Sequence, residues 1–133
     1  AEALAVGRAL GFEPTAVFGQ PSETWLAAAA GNRDALVAAG AALARETSIL
    51  EPGSLSGTAQ DLSKGRPSEV EYLNGYVARE GERIRNAVRY NATVAAMVRE
   101  AEAGRLRTGT DAIARLASDA AAAGVTAQAC HTA

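Results

Sequence analysis

The sequence predicts an all-α domain. Hydrophobic residues make up 48% of the 133 positions while aromatics make up only 5%. The apolar content is therefore mostly Ala, Val and Leu, and alanine is the best helix former. Only four prolines and few β-branched runs interrupt the chain. A chain of this length suits one domain with one core. The net charge of -2 gives no reason to expect nucleic acid or an anionic membrane as partner. No apolar run approaches the roughly 20 residues that span a bilayer. Cys130 is the only cysteine, so no internal disulfide is possible and a reducing cytoplasm fits. Ala1, Glu2 and Ala3 lack the basic start of a signal peptide. Without an initiator Met, the chain reads as processed or cut from something longer.

Taken in order, "AEALAVGRAL" places Leu4, Val6 and Leu10 among alanines and stops at Gly11. "FEPTAVFGQP" reads as a connector, with Pro14, Gly19 and Pro21. Ser22 is placed to cap a short helix that carries Glu23 in its first turn and closes at "GN". The next helix carries Leu36, Val37, Ala41, Leu43 and Ala44 at helical spacing and ends at "EPGS". A fourth starts near Ser56, includes Leu62 and is interrupted by Gly65 and Pro67. Ser68 and Glu71 have the S-x-x-E spacing of a capping box. From there Val70, Leu73, Val77, Ile84, Val88, Val94, Met97 and Val98 keep an approximate helical period, with no proline from Ser68 to Ala103. That pattern predicts one long central helix over about 69–103. A last helix, "DAIARLASDAAAA", starts near Asp111 and ends before Gly124. The expected organisation is a single helical domain over 1–124 with a disordered tail over 125–133.

Little catalytic chemistry is present. His131 is the only histidine and sits near the terminus, so neither a metal cluster nor a Ser-His-Asp triad can be assembled. The neighbouring Cys130 is no dyad partner without a fold to orient it. No G-x-G-x-x-G follows a strand and there is no Walker-type loop, so no cofactor or metal site is read from this chain. Lys64, the only lysine, falls in "SKGRP", an exposed turn by its composition.

One stretch is more specific. Gln60, Asp61, Gly65, Arg66, Glu69, Val70, Glu71, Tyr72, Leu73, Asn74 and Gly75 fit a Q-D-x-x-x-G-R-x-T-E-[IV]-[DE]-Y-[LI]-N-G pattern without a gap, Ser68 replacing Thr. The stretch resembles the C-terminal helical domain of the ketopantoate reductase (2-dehydropantoate 2-reductase) family. "AEALAVGRALGFEP" and "NATVAAMVREAEAG" resemble the family's flanking helices, so the similarity covers about residues 1–104. The resemblance implies the fold of the 6-phosphogluconate dehydrogenase/ketopantoate reductase C-terminal domain. It also implies an NADPH-dependent 2-keto acid reductase whose helical domain binds substrate and often forms the dimer. Carried over, Glu69 matches the family's cleft glutamate and is the catalytic candidate. Ser56, Arg66 and Asn74 are the substrate-binding candidates. Gly57 stands where the family usually has its substrate-contacting serine. The catalytic lysine and the cofactor domain would lie upstream of Ala1. Expected partners are a small-molecule acid or keto acid and a second copy of the chain.

One departure from the family is structural. Arg85, Ala87 and Arg89 stand where it has the Gly, Pro and Pro of a G-x-P-x-P-x-N turn, with Asn91 retained. Proline costs about 3 kcal/mol inside a helix and glycine about 1, so losing all three predicts that two helices fuse. Three functions remain open. The chain is the helical half of such a reductase, a standalone small-molecule binder or cofactor-independent enzyme descended from it, or a dimerisation module.

Overall fold

The structure is a computed structural model, and it describes residues 1–51 and 53–129. The fold is all-α, as the composition predicts. Its helices are α1 (Glu2–Ala9), α2 (Ser22–Ala29), α3 (Arg33–Ser48), α4 (Gly57–Ser63), α5 (Asn74–Arg83), α6 (Arg89–Glu102) and α7 (Thr110–Ala129). A single 3₁₀ turn, Glu69–Glu71, precedes α5. Among the described residues there is no strand, only an isolated bridge between Val17 and Gln20. Where the sequence reads as one domain, the contacts gather into two compact units. One is Ala3–Ser54 with Ala1, the other runs from Leu55 onward with Glu2.

In the first unit α2 packs against α3, burying Ala28, Ala39 and Ala42. Asn32 caps α3 by accepting the Ala35 N–H at 3.0 Å. Ser22 does not cap α2. Pro21 holds the cap position, and the buried Ser22 hydroxyl accepts from the Arg8 guanidinium at 2.7 Å. The connector folds into a tight turn with both Phe18 and Gly19 at positive φ. Trp25 secures it, donating to the Val17 carbonyl at 3.1 Å and meeting Phe18 edge to face.

The second unit layers α5 on α6 and α6 on α7. Here the predicted long helix does not form. The 3₁₀ turn ends at Glu71, and α5 stops at Arg83, five residues before α6 is capped at Val88. Arg85 turns the chain with φ 56°, a left-handed conformation that costs a non-glycine residue about 1–2 kcal/mol. Its N–H bonds the Glu82 carbonyl at 3.0 Å, and the Asn86 N–H bonds that of Gly81 at 2.8 Å. That pair of bonds is a Schellman closure, the motif that Gly11, Gly31, Gly65 and Gly104 also form at positive φ. The reason for the fold-back lies one turn further on. Val88 is buried on Gly81, so closely that a Cβ at Gly81 would stand 2.3 Å from Val88 Cγ1. A continuous helix would forfeit that packing. Losing the breakers removed a barrier to fusion but not the reward for folding back.

At the other end α7 runs through the expected stop at Gly124 to Ala129. One glycine costs about 1 kcal/mol against alanine, too little to halt an Ala-rich helix. The predicted tail is thus helical over 125–129, while Cys130 and His131 lie outside the described residues.

Candidate functional site

The segment from Leu55 to Gly75 carries every candidate residue, and most of its side chains are tied to the local backbone. Ser56 caps α4, its Oγ accepting the Ala59 N–H at 3.3 Å. Gln60 donates to the Leu55 carbonyl at 3.1 Å. Gly65 closes the helix at φ 64°, letting the Arg66 N–H reach the Asp61 carbonyl at 2.9 Å. The Arg66 guanidinium then pairs with the Asp61 carboxylate at 3.1 Å. Asp61, Gly65 and Arg66 therefore lock one turn.

The expected capping box is rearranged. Ser68 Oγ accepts from Val70 N–H at 3.4 Å, but Glu71 does not reach back to the Ser68 N–H. Glu102, at the far end of α6, takes that place and accepts the Ser68 N–H and Oγ–H, each at 2.8 Å. Those two bonds, backbone first, hold the Glu102 carboxyl below the usual carboxylate range. Glu71 instead pairs with Arg79 at 3.4 Å and with Arg99. This explains the glycine of the Asn-Gly pair. A Cβ at Gly75 would come within 2.8 Å of Glu71 Oε2 and 3.2 Å of Arg79 Nη1.

Asn74 belongs to a second network. Its amide donates to Asn91 Oδ1 at 3.0 Å. Asn91 in turn donates to Glu2 Oε2 from its side chain at 2.6 Å and from its backbone at 2.8 Å. Tyr90 N–H adds a bond to Glu2 Oε1 at 2.8 Å, so the Glu2 carboxylate, grouped with this unit, sits on the N-terminal amides of α6.

Of the four candidates, then, Ser56, Arg66 and Asn74 spend polar atoms on structural bonds. Glu69 opens the 3₁₀ turn, is exposed, and has no side-chain hydrogen bond or ion pair among the described residues. No bond joins any two of the four among those residues. The residues that frame the segment from afar (Glu2, Arg79, Arg99 and Glu102) carry no signal in the sequence, because their partners lie up to 89 positions away.

A groove of about 190 Å³ lies elsewhere in the second unit, between α4, α6 and α7. Leu62, Met97, Val98, Leu106, Ile113 and Leu116 give it an almost wholly apolar lining, and none of the four candidates borders it. No group of three or more His, Cys, Asp or Glu among the described residues could hold a metal ion. No helix among them is long and apolar enough to cross a membrane.

Residues 1–102 match the family described as "Ketopantoate reductase PanE/ApbA C terminal". No curated protein and no solved structure matches the chain. The family match stops at the end of α6, so the loop after it and α7 lie beyond.

Proposed function

The chain belongs to the ketopantoate reductase C-terminal family, and on that premise we propose that it is the substrate-binding and dimerisation half of an NADPH-dependent 2-keto acid reductase. The observation that carries the reading is Glu69. It keeps the family's position in "SEVEYLNG" and is the one candidate whose side chain is not committed within the chain. A carboxylate at the start of a helical turn, standing in water, can accept a hydrogen bond from a substrate hydroxyl. Arg66, already fixed by Asp61, offers a guanidinium for a substrate carboxylate. NADPH does not fit the residues present. They include no strand among those described and no glycine-rich phosphate loop, so hydride donation belongs to groups outside them.

The experiment is a pair of titrations on the chain. A 2-keto acid that also carries a hydroxyl should bind weakly, and Glu69→Ala should weaken it about tenfold, the size of one charge-assisted hydrogen bond. Fluorescence should show no micromolar NADPH binding. Tight NADPH binding by this chain, or keto-acid binding indifferent to Glu69, would overturn the proposal.

The apolar groove favours a second reading, a cofactor-independent binder of a small apolar molecule. Its volume of about 190 Å³ exceeds that of engineered cavities of about 150 Å³ that hold benzene. The groove borrows α7, which lies beyond the family match.

A further inference from the structure

The groove between α4, α6 and α7 has an apolar wall, Thr108 being the only residue along it with a polar side chain. The side chains on that wall do not close over one another. α4 buries no residue, Leu62 is half-buried, and Ile113 is 70% exposed although it lines the groove. Met97 alone of the lining residues is buried. The segments that form the wall also carry a charge bias. Leu106 lines the groove between Arg105 and Arg107 in the chain, and Lys64 follows Leu62 by two residues. All three cations are exposed, and none has a side-chain hydrogen bond or ion pair among the described residues. Most other charges nearby are engaged: Asp61 with Arg66, Glu100 with Arg115, Arg99 with Glu71, and Glu102 with Ser68. Asp111, beside the lining residue Ala112, is the one carboxylate of these segments left without such a partner among the described residues. Three free cations thus stand against one free anion, in a chain whose net charge is -2.

We propose that the groove binds a small monocarboxylate with an apolar body, the body lying against Met97 and Ile113 and the carboxylate held in water by Arg105 or Arg107. The proposal rests on the apolar-binder reading above and names the class of its ligand. Size sets the body. Engineered cavities of about 150 Å³ hold benzene, so about 190 Å³ takes one ring with a short chain, or a comparable alkyl group. Polarity decides where the head goes. A carboxylate pushed among Leu62, Val98 and Leu116 would lose its water without gaining a donor, so it stays at the mouth. Charge decides its sign. Arginine offers a planar fork that pairs with a carboxylate through two parallel bonds, and its long stem can lie along apolar surface while the head stays in water. A neutral molecule of the same shape would use the wall but not the arginines. An amine would meet like charge.

The test is an NMR titration of the full chain at low salt with hydrocinnamate, hydrocinnamyl alcohol and acetate. Met97 is the only methionine, so its methyl signal reports on the groove. The acid and the alcohol should both shift it, and acetate, with no body to bury, should not. The acid should bind roughly threefold tighter than the alcohol or better, a gap that closes as salt screens exposed charge. Arg105→Gln/Arg107→Gln should close the same gap by weakening the acid alone. Its circular dichroism should not change, because both side chains are exposed and unengaged among the described residues. Ile113→Asn, also at an exposed position, should weaken acid and alcohol alike. Equal binding of acid and alcohol, or a preference that survives in the double variant, overturns the proposal and leaves the apolar-binder reading standing. No Met97 shift with either probe overturns both. Acid shifts confined to Arg66 to Asn74 overturn this inference in favour of the Glu69 site.

Discussion

Arg85 occupies a backbone conformation, φ 56°, that glycine adopts without a Cβ clash. Arg85→Gly should therefore stabilise the chain by about 1 kcal/mol, a rise in melting temperature of about 3–5 °C, measured by thermal unfolding. An unchanged or lower midpoint would mean that the turn is not held as described. Gly81 gives the opposite expectation. Its missing Cβ makes room for Val88, so Gly81→Ala should cost about 1–3 kcal/mol by overpacking. Adding Val88→Ala should recover part of that loss, a non-additivity that a double-mutant cycle would detect. At this scale the sequence was legible in identity but not in reason. Asp61, Gly65 and Arg66 were recognisable as a pattern, yet nothing in it says that the arginine answers the aspartate across a closed helix end.

At the level of elements, the α5–α6 corner marks where helical periodicity stops being informative. The apolar spacing through Ile84 and Val88 is compatible with one helix or with two folded together, because both bury the same residues. Packing of Val88 on Gly81 and the Asn74–Asn91–Glu2 network decide for two, and both span 7 to 89 positions of sequence. The Ser68–Glu102 pair is another such tie, and it carries a pH dependence. Its carboxyl titrates lower in the folded chain than in the unfolded one, so its contribution is present at neutral pH. The contribution is lost as pH falls through the lowered folded value. Glu102→Gln should therefore flatten the acid limb of a stability–pH profile while leaving its high-pH side level. A steeper acid limb in the variant would contradict the assignment.

On the scale of the whole molecule, the buried core is built largely of alanines, valines and one methionine, and many larger apolar residues stand in water. The all-α class was readable because alanine content and helical spacing act locally. Membership of the family was readable because an eleven-residue pattern survives in register. The division into two units was not readable, since it depends on which helices meet. Nor was the state of the candidate side chains: the resemblance names Ser56, Arg66, Glu69 and Asn74 together, but local bonds occupy three of them. The central claim is that a keto acid meets this chain at Glu69. The direct measurement is a residue-resolved NMR titration of the chain with a 2-keto acid that also carries a hydroxyl. The account predicts amide shifts concentrated on Arg66 to Asn74, absent in Glu69→Ala. Shifts confined instead to Leu62, Met97, Leu106 and Ile113, around the apolar groove, would contradict it.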